Sequence, residues 1–177
     1  MLVVAAAALV GCGNDRPAPA PEAPTVSGPL CDLLPAGDDP GAPATLTGEP
    51  AGVALTWIPV ATTFEAAVRA SGAELRDVTV FAPTDDAFAA AYGRQELDEI
   101  LLSSSRAREL VEAHVADGAL SLAGLLEAGE ATTRGGTALT VSEAGDGQAR
   151  LGDRARTVCA DYTVSGARIH VIDGVLR

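Results

Sequence analysis

The sequence predicts an α+β domain, and three observations carry that reading. Helical patterns fill the first half of the body, and short strands with glycine turns fill the second, from Ala131 onward. Between them, Val78-Thr-Val-Phe-Ala-Pro-Thr-Asp-Asp-Ala-Phe88 reads as a strand that turns directly into a capped helix. Near the end, Ile169-His-Val-Ile-Asp-Gly-Val-Leu176 alternates as a strand and then turns at Asp173-Gly174.

Each element has a local cause. Thr62 and Glu65 fit a capping box, ahead of a helix from Thr63 to about Ser71 that buries Phe64, Ala67 and Val68. Val78 to Phe81 is a β-branched and aromatic run, and Pro83 ends it because proline cannot donate to a ladder. Thr84, Asp85 and Asp86 supply cap oxygens and negative charge to the helix carrying Ala87, Phe88 and Ala91. Leu97, Ile100 and Leu101 suggest a short amphipathic turn, and Ser103 to Ser105 cap a helix on which Leu110, Val111 and His114 share a face. Ser121 to Ala128 is a further short helix, with Gly129 as its C-cap. Strands are expected at 138–142, 149–151, 157–160, 162–164 and 168–172, with hairpin turns at Gly135-Gly136 and Gly145-Asp-Gly147. Residues 30–50, rich in Pro, Gly and Asp, read as irregular chain.

The order and separation of the two stretches, 78–88 and 169–176, resemble the two sequence motifs of the fasciclin domain. Ala113-His114-Val115, followed by Asp117-Gly118, is similar to that family's central histidine segment, with Ala113 where a Tyr usually stands. The resemblance covers roughly residues 44–176. It implies several short helices packed on a wedge of two β-sheets, with the strand around Phe81 entering the β part. The family has two helices ahead of the first motif, where the pattern here supports one. The chain is most similar in kind to the secreted and lipid-anchored single-domain fasciclin proteins of mycobacteria and other actinobacteria. Those carry cysteines at places matching Cys31 and Cys159.

Composition narrows the class. Of 177 residues 47% are hydrophobic and only 3% aromatic, so the core is built from Val, Leu, Ile and Ala. Such a length buries about two-thirds of its unfolded surface and folds without a staple. The net charge is −12 and every basic residue is Arg, which excludes nucleic acid and electrostatic adhesion to anionic lipid. Leu2 to Val10 is an apolar run, too short for a bilayer span of about 20 residues, and it ends in Leu9-Val-Gly-Cys12. It fits a secretory signal, and Leu-Val-Gly-Cys resembles the bacterial lipobox, whose Cys is acylated. No basic residue precedes the run, as expected if the start site is placed too far downstream; an ordinary signal peptide with a coincidental Cys is the alternative. The expected organisation is a signal peptide at 1–11, lipidated Cys12 with a Pro-rich linker at 12–43, and a fasciclin domain at 44–177. With Cys12 assigned to lipid, Cys31 and Cys159 remain as a disulfide pair in an oxidising compartment, the alternative being two free buried thiols.

No reaction chemistry emerges, so the expectation is a non-enzyme without cofactor or metal. His114 reads as a structural histidine whose hydrogen bond fixes the loop beginning at Ala116, and His170 as an exposed or edge-facing strand residue. Asp85 and Asp86 read as caps, and Asp173 as a turn residue. The function implied by the resemblance is adhesion; with the lipidated Cys12 the expectation is a monomeric module anchored to the outer leaflet of the plasma membrane, or one also secreted. Its partner would be an extracellular or envelope protein, or a polysaccharide, with Thr84, Asp85, Asp86 and His114 as the residues it touches. The alternative is a small-ligand-binding or structural envelope lipoprotein. Only Trp57, Tyr92 and Tyr162 are drawn on for stacking, which disfavours carbohydrate.

Overall fold

The computed structural model describes residues 25–177. Cys12 and the Pro17–Pro24 linker lie outside the described residues. The elements run α1 (Pro43–Leu46), α2 (Ala51–Ala54), α3 (Thr62–Ser71), β1 (Val78–Pro83), α4 (Asp85–Ala91), α5 (Arg94–Leu101) and α6 (Ser104–Glu112). There follow β2 (Val115–Asp117), α7 (Leu122–Ala128), β3 (Glu130–Thr132), β4 (Ala138–Gly145), β5 (Gln148–Leu151), β6 (Ala155–Val164) and β7 (Ala167–Ile172). The stretch ahead of the first motif is more ordered than its composition suggests. Besides α1 and α2 it holds single 3-10 turns at Cys31–Leu33 and Leu55–Trp57, and Leu34, Leu46, Leu55 and Ile58 are buried. Pro43 starts α1 because its missing N–H costs nothing at a first helical turn.

The helices pack on the expected β part, whose two halves are joined into one run of seven hydrogen-bonded strands in the order β2-β1-β7-β6-β5-β4-β3. The reason lies in β6, whose local pattern reads as two strands. Bulges between Thr157 and Cys159 and between Cys159 and Tyr162 interrupt it without ending it, with Asp161 at a left-handed φ of 73°. Its first residues pair with β5 and the rest with β7, so the two halves share a strand. The two edges of the sheet also meet. Ala116 of β2 bridges Thr133 beyond β3, and the Arg134 N–H donates to the Val115 carbonyl at 2.7 Å. Those edges are therefore covered instead of presenting a template for another chain.

The central pair is β1 and β7, parallel and in register from Val78↔Ala167 to Pro83↔Ile172. All six residues of β1 are buried, as expected of a strand covered on both faces. Val78, Val80 and Ala82 of β1, with Ile169 and Val171 of β7, face a core shared with Phe64, Phe88 and Leu110 of the helices. Phe81 and Ile172 point the other way, into a second core with Leu125, Leu139, Val141, Leu151 and Leu176. The strand alternation thus divides one sequence stretch between two cores.

Residues 25–34 are bound along β6. Ser27 and Ala160 exchange backbone hydrogen bonds of 3.1 and 2.7 Å, and the Leu30 N–H donates to the Val158 carbonyl at 2.9 Å. Cys31 and Cys159 form a disulfide across 128 residues of sequence. Gly28 permits this approach, since a Cβ there would collide with the Val158 carbonyl. Among the described residues no helix is long and apolar enough to cross a membrane.

Candidate functional site

The strands of both motifs end at the same place. Because β1 and β7 are parallel, Thr84 and Asp173 leave the sheet side by side, and the Thr84 N–H donates to the Ile172 carbonyl at 2.9 Å. Thr84 is the N-cap of α4, its hydroxyl accepting from the Ala87 N–H at 3.2 Å. Asp85 does not cap its own helix. Its carboxylate accepts from the Thr63 N–H at 2.7 Å, the Thr62 hydroxyl at 2.8 Å and the Thr62 N–H at 3.4 Å, all at the start of α3. The Thr62/Glu65 capping box therefore does not form. Ala61 occupies the N-cap position of α3, and the acceptor its first N–H groups need comes from a neighbouring helix. The Asp85 N–H in turn donates to the Val60 carbonyl at 2.8 Å, so the two helix starts are tied in both directions.

Thr84, Asp85, Asp86 and Asp173 line a groove of ≈ 510 Å³ that is open to solvent. Its apolar walls are Pro59 and Val60 before α3, Ala87 and Ala90 of α4, Leu30 of the disulfide-bonded strap formed by residues 25–34, and Val158 of β6. Asp86 and Asp173 are exposed at this groove, while Thr84 and Asp85 are half-buried by their capping bonds. The sequence marks Asp173 only as a turn residue and gives no sign of the strap residues. Their convergence comes from the parallel pairing of β1 with β7, which no local pattern encodes.

His114 does not belong to this surface. It is fully buried, 0% exposed, in edge contact with the Phe64 ring, and it cannot touch a partner directly. It lies just past the end of α6, and both ring nitrogens are engaged. Nδ1 lies 2.8 Å from the Leu110 carbonyl, and Nε2 accepts from the Leu176 N–H at 2.9 Å. A backbone N–H can only donate, so Nε2 is unprotonated and Nδ1–H donates to Leu110. The histidine therefore joins the end of α6 to the C-terminal segment of the second motif, not to the loop at Ala116. Burial lowers its pKa from 6.5 to about 4, against a smaller raising effect of the Leu110 hydrogen bond.

His170, expected to be exposed or edge-facing, is also 0% exposed. The face of β7 that alternation marks as outward is covered by the second core, where His170 stacks on Phe81 at 6.0 Å. Its Nδ1 accepts from the Asp161 N–H at 3.2 Å and its Nε2 meets the Leu120 carbonyl at 3.0 Å, the opposite tautomer to His114. Burial lowers its pKa most strongly, while the Leu120 bond and Asp161 pull it up and Arg168 pushes it down. Of the three stacking candidates, Tyr162 is buried, with burial raising its pKa to about 12, and Tyr92 lies under the Arg177 guanidinium at 4.5 Å. Trp57 alone is a large exposed ring, 48% accessible.

Comparisons with known proteins bear on this arrangement. The family model for the Fasciclin domain matches residues 59–177, more than half of the chain and both motifs. Protein sll1483 of Synechocystis sp. is 35% identical over 100 residues, covering 55% of this chain and 53% of that protein. The chain thus spans about half the length of that curated relative. Among solved structures, a FAS1 domain pair from the insect cell adhesion molecule Fasciclin I superposes with a TM-score of 0.51 at 19% identity. That match covers 67% of this chain and 45% of the other, and at such identity it speaks for the fold.

Proposed function

The chain belongs to the fasciclin-domain family, and on that premise we propose that it is an extracytoplasmic binding module whose groove between α3, α4 and the strap docks a partner protein. The observation that carries this is the meeting of both motifs at one solvent-open rim, where Asp86 and Asp173 flank apolar walls. Exposed carboxylates beside an apolar groove suit a segment carrying apolar and basic side chains. The scarcity of exposed aromatic rings favours protein over polysaccharide. The cell-adhesion name of the Fasciclin I relative is in keeping with such a role.

A photo-cross-linking residue placed at Asp86 or Ala90 in the native host tests this. Both positions are exposed, and neither side chain forms a hydrogen bond among the described residues. Discrete cross-linked species are expected from these sites, absent from a control at exposed Glu143 of β4 and lost on introducing Ala90→Arg beside the Asp86 probe. Identical products from Glu143, or none from either groove position, would remove the docking role.

In the same reading Cys12 is acylated and holds the domain on the outer leaflet of the plasma membrane, with the Pro-rich segment as a spacer. Intact mass on protein from the native envelope tests it. A chain beginning at an acylated Cys12, gaining about 2 Da on reduction of one disulfide, is the expected result. An unacylated chain would leave a freely secreted module.

A further inference from the structure

Arg150 of β5 stands directly opposite Arg156 of β6 in the ladder. Facing like charges destabilise a strand pair, and in a chain of net charge −12 carboxylates are plentiful. Yet among the described residues neither arginine, nor Arg154 in the turn between them, forms a salt bridge, whereas Arg69, Arg106, Arg134 and Arg168 all do. The three arginines line one cavity of ≈ 320 Å³, together with Asp153 and Asp173. Asp173 does not neutralise them by an ion pair, since its carboxylate accepts from the Arg156 backbone N–H at 2.6 Å.

That turn is held in place by the second motif. The Asp173 N–H donates to the Arg156 carbonyl at 3.0 Å, and Gly174 packs on the Arg154 carbonyl where a Cβ would collide with it. Three arginines are thus gathered on a backbone fixed before any ligand arrives, which lowers the ordering cost of binding. We propose that this cavity is an anion site for a phosphate or sulfate group of a ligand. A carboxylate is planar and is satisfied by one guanidinium fork, while a tetrahedral oxyanion directs oxygens toward several forks and carries up to two charges. A lipid headgroup is the wrong source, because so acidic a molecule is repelled by an anionic leaflet. The site adjoins the groove, sharing Asp173 with it, and its test requires no protein partner.

The experiment titrates inorganic phosphate, sulfate and acetate in turn into the intact, disulfide-bonded protein at constant ionic strength. Arginine Nε–H NMR signals are the readout. Saturable shifts at Arg150, Arg154 and Arg156 are expected with phosphate or sulfate, with acetate about tenfold weaker, and a flat response at Arg69, which is paired with Glu65. The double variant Arg150→Gln/Arg156→Gln is expected to lose the saturable response. It is also expected to unfold at a temperature no lower than the parent, since it removes a repulsion. Non-saturating shifts equal to those of Arg69, or acetate binding as tightly as phosphate, would overturn the site. Phosphatidylglycerol vesicles separate the sources: the protein is expected to stay in solution, and sedimentation abolished by the double variant would overturn the assignment to a non-lipid phosphate or sulfate.

Discussion

Acidification should loosen this domain through His114, and its surroundings set the amount. The ring is neutral because Nε2 must accept from Leu176 and Nδ1–H must donate to Leu110. A second proton would set an N–H against an N–H in a site with no exposed surface. With the pKa at about 4 when folded and 6.5 as the ordinary value, the unfolded chain binds the proton first. Stability from this group is therefore fully present above pH 6.5, declines as the pH falls toward 4, and changes no further below. At about 1.36 kcal/mol per pH unit, that window amounts to about 3 kcal/mol. His170, with its pKa lowered by burial, acts in the same direction. Urea unfolding at a series of pH values from 7.5 to 4.5 measures the loss, with His114→Gln as the comparison. Gln can accept from the Leu176 N–H but does not titrate. At pH 7.5 the variant should be weaker by about 1–3 kcal/mol, for the buried bonds it perturbs. Over the acid range it should lose about 3 kcal/mol less than the parent, so the two curves converge. Parallel curves would show that the proton is taken up elsewhere and that the bond to Leu176 does not set the protonation state.

Two other perturbations address the frame of the groove. Asp85→Ala removes the acceptor at the start of α3 and should cost about 1–2 kcal/mol, whereas exposed Asp86→Asn should stay within about 0.5 kcal/mol; equal shifts in the urea midpoint would contradict the cross-helix cap. Replacing Cys31 and Cys159 by Ser should cost about 2–4 kcal/mol, read as a lower melting temperature under non-reducing conditions, and an unchanged temperature would mean that the strap stays bound to β6 without its covalent tie.

Much of the chain is decided by local chemistry. Pro83 ends a β-branched run, Thr84 caps α4, Ser121 and Gly129 bracket α7, and the register of apolar residues in α3 selects Phe64, Ala67 and Val68 for burial. These depend on neighbours within a helical turn or a strand pair, so the amino-acid order is enough to determine them. Cys31 and Cys159 are the expected pair once Cys12 is assigned to lipid, and they are bonded. The tertiary structure decided what depends on distant partners. Asp85 and Thr62 both have the chemistry of a cap, and only the packing of α4 against α3 makes Asp85 serve the other helix. Alternation in β7 places His170 on an outer face, but a second core covers that face and buries it. The groove exists because β1 and β7 lie parallel, which brings two segments nearly ninety positions apart to one rim. Hydrophobic period tells which residues leave water, and it is silent about which of two faces stays dry and about which strand lies alongside.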